Sequence, residues 1–326
     1  MKKIFIPILI CFFFLVGCKK KAVPAELKIY DEAGNEQVLM IHATEDEKEI
    51  LNLFELVDQS YLAPYSFSTA QINLNTALNG ALIVDLNEKK VNIDLDYRLD
   101  TDLLLHFKSF RFTGSMELKG TDKTESIDFS SENQNHIKCD FQNDDAYIYL
   151  NGALLLGNNK INLRGKTSAE FLQQYKAYFM AFPELIRHKK LTYFLGDLER
   201  FTKDYQVSII ETTQDSFTIR LNVSAASLDP QHVLSGYSIA DVEISCQNFL
   251  PISFSLSGNE IIEDALKKKY IEKYLTDQVS ISKAAMELTG HIIYGQETLS
   301  LLDEAEKEKY TEFDWKSIVE QFKKYI

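Results

Sequence analysis

The sequence predicts an α+β protein built on one large, strongly curved antiparallel sheet, with helices covering its concave face. Three observations predict it. Stretches between about 70 and 165, and again between about 217 and 294, alternate apolar and polar residues with period two. That period marks strands with one apolar face and one wet face, the pattern of antiparallel sheets. Turn-forming residues separate those stretches at short intervals, which makes the connections hairpins. Between the two strand groups, residues 168–203 lose the alternation and carry aromatic side chains at helical spacing.

The N-terminus has a different character. Lys2 and Lys3 precede the uncharged run IFIPILICFFFLV at 4–16. A bilayer span needs roughly 20 apolar residues, so this run has the length and flanks of a signal-peptide core. It ends in Leu15-Val16-Gly17-Cys18, which resembles the lipobox of bacterial lipoproteins. The resemblance implies that residues 1–17 are a signal peptide removed on export. It also implies that the Cys18 thiol carries a diacylglycerol, and that the chain is held at the extracytoplasmic face of the cell membrane. Residues 18–25 then form the acylated cysteine and a tether. Lys19, Lys20 and Lys21 stand where an anionic lipid surface would be, each cation contributing about 1 kcal/mol there; a plain solvated tether fits equally well. Lys19 rather than Asp follows the cysteine, so a Gram-negative inner-membrane retention signal is absent at that position.

Loss of two lysines with the signal takes the net charge from −13 to −15. An acidic chain with no basic, aromatic-interleaved stripe repels phosphate backbones, which argues against nucleic acid as a partner. Residues 26–326 are expected to form a single α+β domain, with two related β halves around the helical insert as the alternative, and a monomer is expected. Of the four cysteines, Cys139 and Cys246 remain after Cys11 and Cys18 are accounted for. Either they pair in an oxidising compartment or, the reading favoured, they are two small residues filling strand positions.

In chain order, residues 27–42 read as a hairpin with its turn at Asp31–Glu36. A helix should follow, with Thr44 and Glu47 at capping-box spacing and Ile50, Leu51, Phe54 and Val57 on one face. The clearest strand is VNIDLDYRL, where Val91, Ile93, Leu95, Tyr97 and Leu99 alternate with Asn92, Asp94, Asp96 and Arg98. Ile72, Leu74 and Leu78 belong to a strand before it; Phe110, Phe112, Met116 and Leu118 belong to one after it. Short strands are expected at 124–130, 135–142, 145–151 and 160–164, with turns at 87–88, 120–122, 143–145 and 157–159. In the helical insert, Phe171, Tyr175 and Phe179 are spaced by four, Pro183 breaks the run, and nine aromatics fall between 170 and 205. So many rings need something to pack against. Strands return at 217–223, 242–246 and 252–256, with one or two more within 278–294, and helices at 224–235 and 260–276. A C-terminal helix over 312–326 carries the stripe Trp315, Ile318, Val319, Phe322.

No catalytic constellation emerges, and the chain is expected not to be an enzyme. The six histidines stand apart, so a helical His–His zinc pair is missing. Ser280-Ile281-Ser282-Lys283 matches S-x-x-K but reads as strand and lacks its partner motifs; Gly236-Tyr237-Ser238-Ile239-Ala240 misses the hydrolase elbow by one residue. Asp94, Asp96, Asp100 and Asp102 read as the wet face of a strand, without the glycine and trailing glutamate of a calcium loop. No cofactor or metal is expected.

A lipobox, a tether, an early helix, a meander of amphipathic strands, a mid-chain helical insert and closing strands around Asn248-Phe249-Leu250-Pro251-Ile252 together resemble the lipoprotein-carrier superfamily of half-open β-barrels. That group includes LolA, LolB and the mycobacterial LppX and LprG lipoproteins. The likeness is one of architecture over roughly residues 45–295. It implies an apolar cavity between sheet and helices that binds lipid or acyl chains, with Phe171, Tyr175, Phe179, Phe182 and Phe194 as candidate lid residues. The alternative is a structural or interaction lipoprotein with a filled core and no ligand.

Overall fold

The computed structural model describes residues 23–62, 67–86, 89–157, 159–170, 176, 205–224, 236–295 and 299–312. A first hairpin pairs β1 (Ala25–Tyr30) with β2 (Glu36–Ile41), and helix α1 (Glu47–Gln59) follows. The main sheet then begins with β3 (Thr69–Leu86), β4 (Lys89–His106), β5 (Arg111–Ser126), β6 (Phe129–Asn143), β7 (Tyr147–Leu156) and β8 (Asn159–Ser168). It continues with β9 (Tyr205–Thr212), β10 (Ser216–Ser224), β11 (Tyr237–Ser245), β12 (Pro251–Ser257), helix α2 (Asn259–Tyr274), β13 (Val279–Tyr294) and the short α3 (Glu304–Lys307).

Eleven strands form one antiparallel sheet in the order β8-β7-β6-β5-β4-β3-β13-β12-β11-β10-β9. Each strand from β3 to β8 pairs with the next, and so does each from β9 to β13. The two meanders meet where β13 pairs with β3, from Val279↔Val84 to Tyr294↔Ala70. The sheet is open, with β8 and β9 at its edges. Bare strand edges invite pairing with other chains, and both are partly met. Thr44 exchanges two backbone hydrogen bonds with Ile209 on β9 (2.8 and 2.9 Å), and the Lys166 amide of β8 donates to the Thr311 carbonyl (2.8 Å).

Partners across an antiparallel ladder point to the same side, so the registers sort every side chain into two faces. One row illustrates the result: Ile161, Leu154, Ile137, Leu118, Leu99, Thr76, Leu288, Leu256, Ala240, Leu221 and Val207 are successive partners from β8 to β9. One side chain in that row is polar. An adjacent row on the opposite face runs Asn162, Ala153, Lys138, Glu117, Asp100, Asn75, Thr289, Ser255, Asp241, Arg220 and Ser208. There only Ala153 is apolar. The alternation of each separate strand is thus in phase across the whole sheet.

Three packed clusters sit on the apolar face. At the β9–β11 side, Ile50, Phe54 and Val57 of α1 and Leu27 and Ile29 of β1 bury Val207, Ile209, Phe217, Ile219 and Ile244. Over β3, β4 and β13, Leu266 and Tyr270 of α2 pack on Leu82, Val84, Ile93, Leu95 and Val279. At the far end of the same strands, Ala70, Leu105 and Phe107 form a third cluster with Phe67, Phe112, Ile292 and Tyr294. On the opposite face, Tyr310 meets Tyr149 edge-on at 5.4 Å, and Lys307 of α3 reaches Asp144 at 3.2 Å.

Several local expectations need correction. The N-cap of α1 is Asp46, whose Oδ1 accepts from the Lys48 amide at 2.9 Å; Thr44 is engaged by the β9 edge instead. The expected turn at 120–122 does not exist, because β5 runs unbroken to Ser126. Gly120 serves a close approach: a Cβ there would fall 2.0 Å from Cδ1 of Tyr97, whose ring lies over the glycine. Of the one or two strands expected within 278–294, there is one, residues 279–294. The α2 helix lies where the 260–276 helix was expected, and the unexpected α3 is capped by Asp303, whose Oδ1 accepts from the Glu306 amide at 2.8 Å. The expected helices at 224–235 and 312–326 fall outside the described residues almost entirely.

Candidate functional site

The candidate site is the middle of the apolar face, between the three clusters. Leu118 and Met116 on β5, Leu99 on β4, Ile137 on β6 and Leu288 on β13 belong to that face, and each is only half-buried. Their neighbours under α2 or under the first hairpin are closed: Leu82 is 2% exposed and Ile209 3%. The contrast follows from what stands above each part. The described helices are too few to cover eleven strands, which at about 4.8 Å spacing span about 50 Å.

The lid residues read from the sequence, Phe171, Tyr175, Phe179, Phe182 and Phe194, lie outside the described residues, as does Cys18. Of the insert, Ser168 at the end of β8, Ala169, Glu170 and Lys176 are described, and the Lys176 ammonium pairs with Asp145 at 2.8 Å. What the structure brings together is the floor, supplied by strands from both meanders.

One part of the floor is polar. Tyr97 on β4, Asp122 on β5 and Asn135 on β6 share the apolar face beside α2. The Asn135 amide donates to the Tyr97 oxygen at 3.1 Å and to Asp122 Oδ2 at 3.4 Å. Burial holds the Tyr97 phenol well above its ordinary range, with its hydrogen bond to Asp122 adding to the effect. Tyr270 is pushed up to about 12, first by burial and next by the Asp122 charge. Both phenols therefore stay protonated at neutral pH. Sequence reasoning misses this group because Asp122 looks like a turn residue.

Cys139 and Cys246 are free and buried. Burial raises both thiols, Cys246 to about 11 with the Asp215 charge as a second cause, so neither is a thiolate nucleophile at neutral pH. The S-x-x-K stretch lies along β13, where Ser280 and Ser282 donate to β3 carbonyls. Ser238 of the near-elbow lies within β11 and is 2% exposed. Asp94, Asp96, Asp100 and Asp102 all point to the wet face. Among the described residues, no group of three or more His, Cys, Asp or Glu stands close enough to hold a metal ion. A cleft of about 650 Å³ at the β7–β8 end is lined by Asp145, Tyr147, Lys166, Ser168, Glu170 and Glu312 among others. Its walls are polar and unsuited to an acyl chain. No helix among the described residues is long and apolar enough to cross a membrane.

The sequence matches no family model, and no curated protein is significantly similar to it. Among solved structures, a β-barrel-like protein of Domain of Unknown Function DUF1849 from Brucella abortus aligns over 68% of this chain and 96% of its own. The identity is 8% and the TM-score 0.13. The strand order and faces described above rest on this chain alone.

Proposed function

We propose that this chain is a lipid-anchored, extracytoplasmic binding protein that holds an apolar ligand, a lipid or acyl chain, against the apolar face of its sheet. It performs no catalysis. The observation that carries the reading is the row of partners crossing all eleven strands with a single polar member, half-buried through its middle. Contiguous apolar surface of that extent is uncommon on monomers and marks binding sites. Burying a methylene contributes about 0.8 kcal/mol, so an acyl chain laid along such a floor gains several kcal/mol after its ordering cost. The anchor at Cys18 places the protein where such ligands are found. The half-open barrel and the candidate lid residues Phe171, Tyr175, Phe179, Phe182 and Phe194 belong to this proposal.

One observation favours the alternative of a filled core without ligand. Where α2 crosses the face, Leu266 and Tyr270 leave Leu82 and Leu95 fully packed, and a longer helical cover could do the same elsewhere.

Native mass spectrometry of the mature soluble part, residues 19–326, is expected to show co-purifying lipid. Leu118→Asp is expected to reduce that lipid at least tenfold while circular dichroism stays unchanged, because the new carboxylate would be desolvated by a bound chain but is half-exposed without one. Bare wild-type protein would contradict the proposal.

A further inference from the structure

The apolar face has a polar corner that holds one carboxylate and, among the described residues, no cation paired with it. Along β5 and β6, the positions that continue the apolar rows toward the β5–β6 turn are Asp122, Thr124, Ser131, Asn133 and Asn135. Asp122 stands opposite Leu95, itself under α2. Among the described residues, no lysine, arginine or histidine comes within ion-pair distance of it. The nearest cations in sequence, Lys119 and Lys123, project to the wet face and pair with Glu117 (3.0 Å) and Glu132 (3.3 Å). Lys269 and Lys273 of α2 sit over the Tyr270 ring at 5.9 and 5.7 Å without reaching the carboxylate. Among the described residues, the half-buried Asp122 carboxylate is met by a phenol and an amide and by no cation, which leaves it open to a group of opposite charge.

We infer that this corner receives the polar head of the bound amphiphile, and that the head carries an ammonium group. The inference rests on the proposed binding of an apolar ligand and names the chemistry of that ligand's other end. The tail lies along the Leu99–Leu118–Ile137 floor, which leads directly into the corner: Leu118 is two residues from Gly120 and four from Asp122 on the same face of β5. Asp122 supplies the opposite charge. The half-buried ring of Tyr97 supplies the quadrupole that attracts an alkylammonium, contributing most where water is excluded, while Tyr270, 4% exposed, walls the corner. Asn135 fixes the carboxylate by donating to it and to Tyr97 at once. An anionic head meets repulsion from Asp122, and a neutral head gains only hydrogen bonds.

Isothermal titration of the mature protein with dodecyltrimethylammonium, dodecyl maltoside and dodecyl phosphate, each below its micelle concentration, separates head from tail. The expected result is binding of all three, with the ammonium probe preferred by at least about tenfold. Asp122→Asn should remove that preference and leave the maltoside unchanged; Asp122→Glu should keep it. Equal affinities, tightest binding of the phosphate, or an unchanged preference in Asp122→Asn would overturn the head-group assignment while the maltoside still reports an apolar site. Binding of none of the probes would overturn both. If Asp122→Asn fails to fold, the wild-type ranking at about 1 M salt decides the matter, because the general attraction of an acidic chain for cations is screened there and a preference held by a half-buried carboxylate survives; loss of the preference in salt would overturn the assignment.

Discussion

Phe217→Ala is expected to destabilise the protein by about 3–5 kcal/mol, the range for emptying a ring-sized site in a packed core. Phe217 on β10 is 1% exposed and is the largest fully buried side chain described. Its ring lies 5.8 Å from that of Phe249, which in turn meets Phe54 of α1 edge-on at 6.3 Å. The three rings fasten the first helix and the β11–β12 turn to the sheet. Phe249 itself sits at φ 58°, a conformation that bulky residues adopt only when neighbours hold them there. Truncating Phe217 therefore leaves a cavity and loosens a strained turn together. Urea denaturation should show the loss, and the melting temperature should fall on the order of 10 °C. A loss under about 1 kcal/mol, the size of an ordinary surface change or little more, would show that the cluster is not a dense core.

Gly152→Val is expected to cost at least the roughly 1–3 kcal/mol typical of overpacking. Gly152 lies mid-strand on β7, facing the apolar side between Leu163 and Cys139. A Cβ there would stand 2.1 Å from the Lys138 carbonyl oxygen and 2.5 Å from the Cys139 Cα. Both are backbone atoms of β6, so relief requires β6 and β7 to separate. Hydrogen exchange should report it as lost protection in 135–143 and 148–156, with β9–β12 unaffected. Unchanged protection throughout would contradict the close approach.

Strand alternation makes much of the sheet legible in the sequence alone. The pattern puts Val91, Ile93, Leu95, Tyr97 and Leu99 on one face, and the registers of β4 do the same, because in a half-wet strand the sequence period is the burial period. The α1 stripe Ile50, Phe54 and Val57 is legible for the same reason, and all three side chains are buried. What is not legible is non-local. Nothing in residues 279–294 tells that, besides their chain neighbour β12, they also lie beside 70–84, yet that pairing joins the two meanders. Gly120 illustrates the same limit. Beside Thr121 and Asp122 it has turn chemistry, and only the Tyr97 ring across the ladder explains it. Reading that glycine as a turn hides Asp122 and with it the polar corner. The apolar floor is legible as alternation; its single phase across eleven strands emerges only from the registers.

Acyl chains on the middle of the apolar face are what the proposed function requires above all. A diazirine-bearing fatty acid, photolysed with the mature protein and mapped by peptide mass spectrometry, tests this most directly. Adducts should concentrate on Leu99, Met116, Leu118, Ile137 and Leu288. Absence of adducts, or adducts on wet-face positions such as Asp100, Glu117 and Lys138, would contradict it.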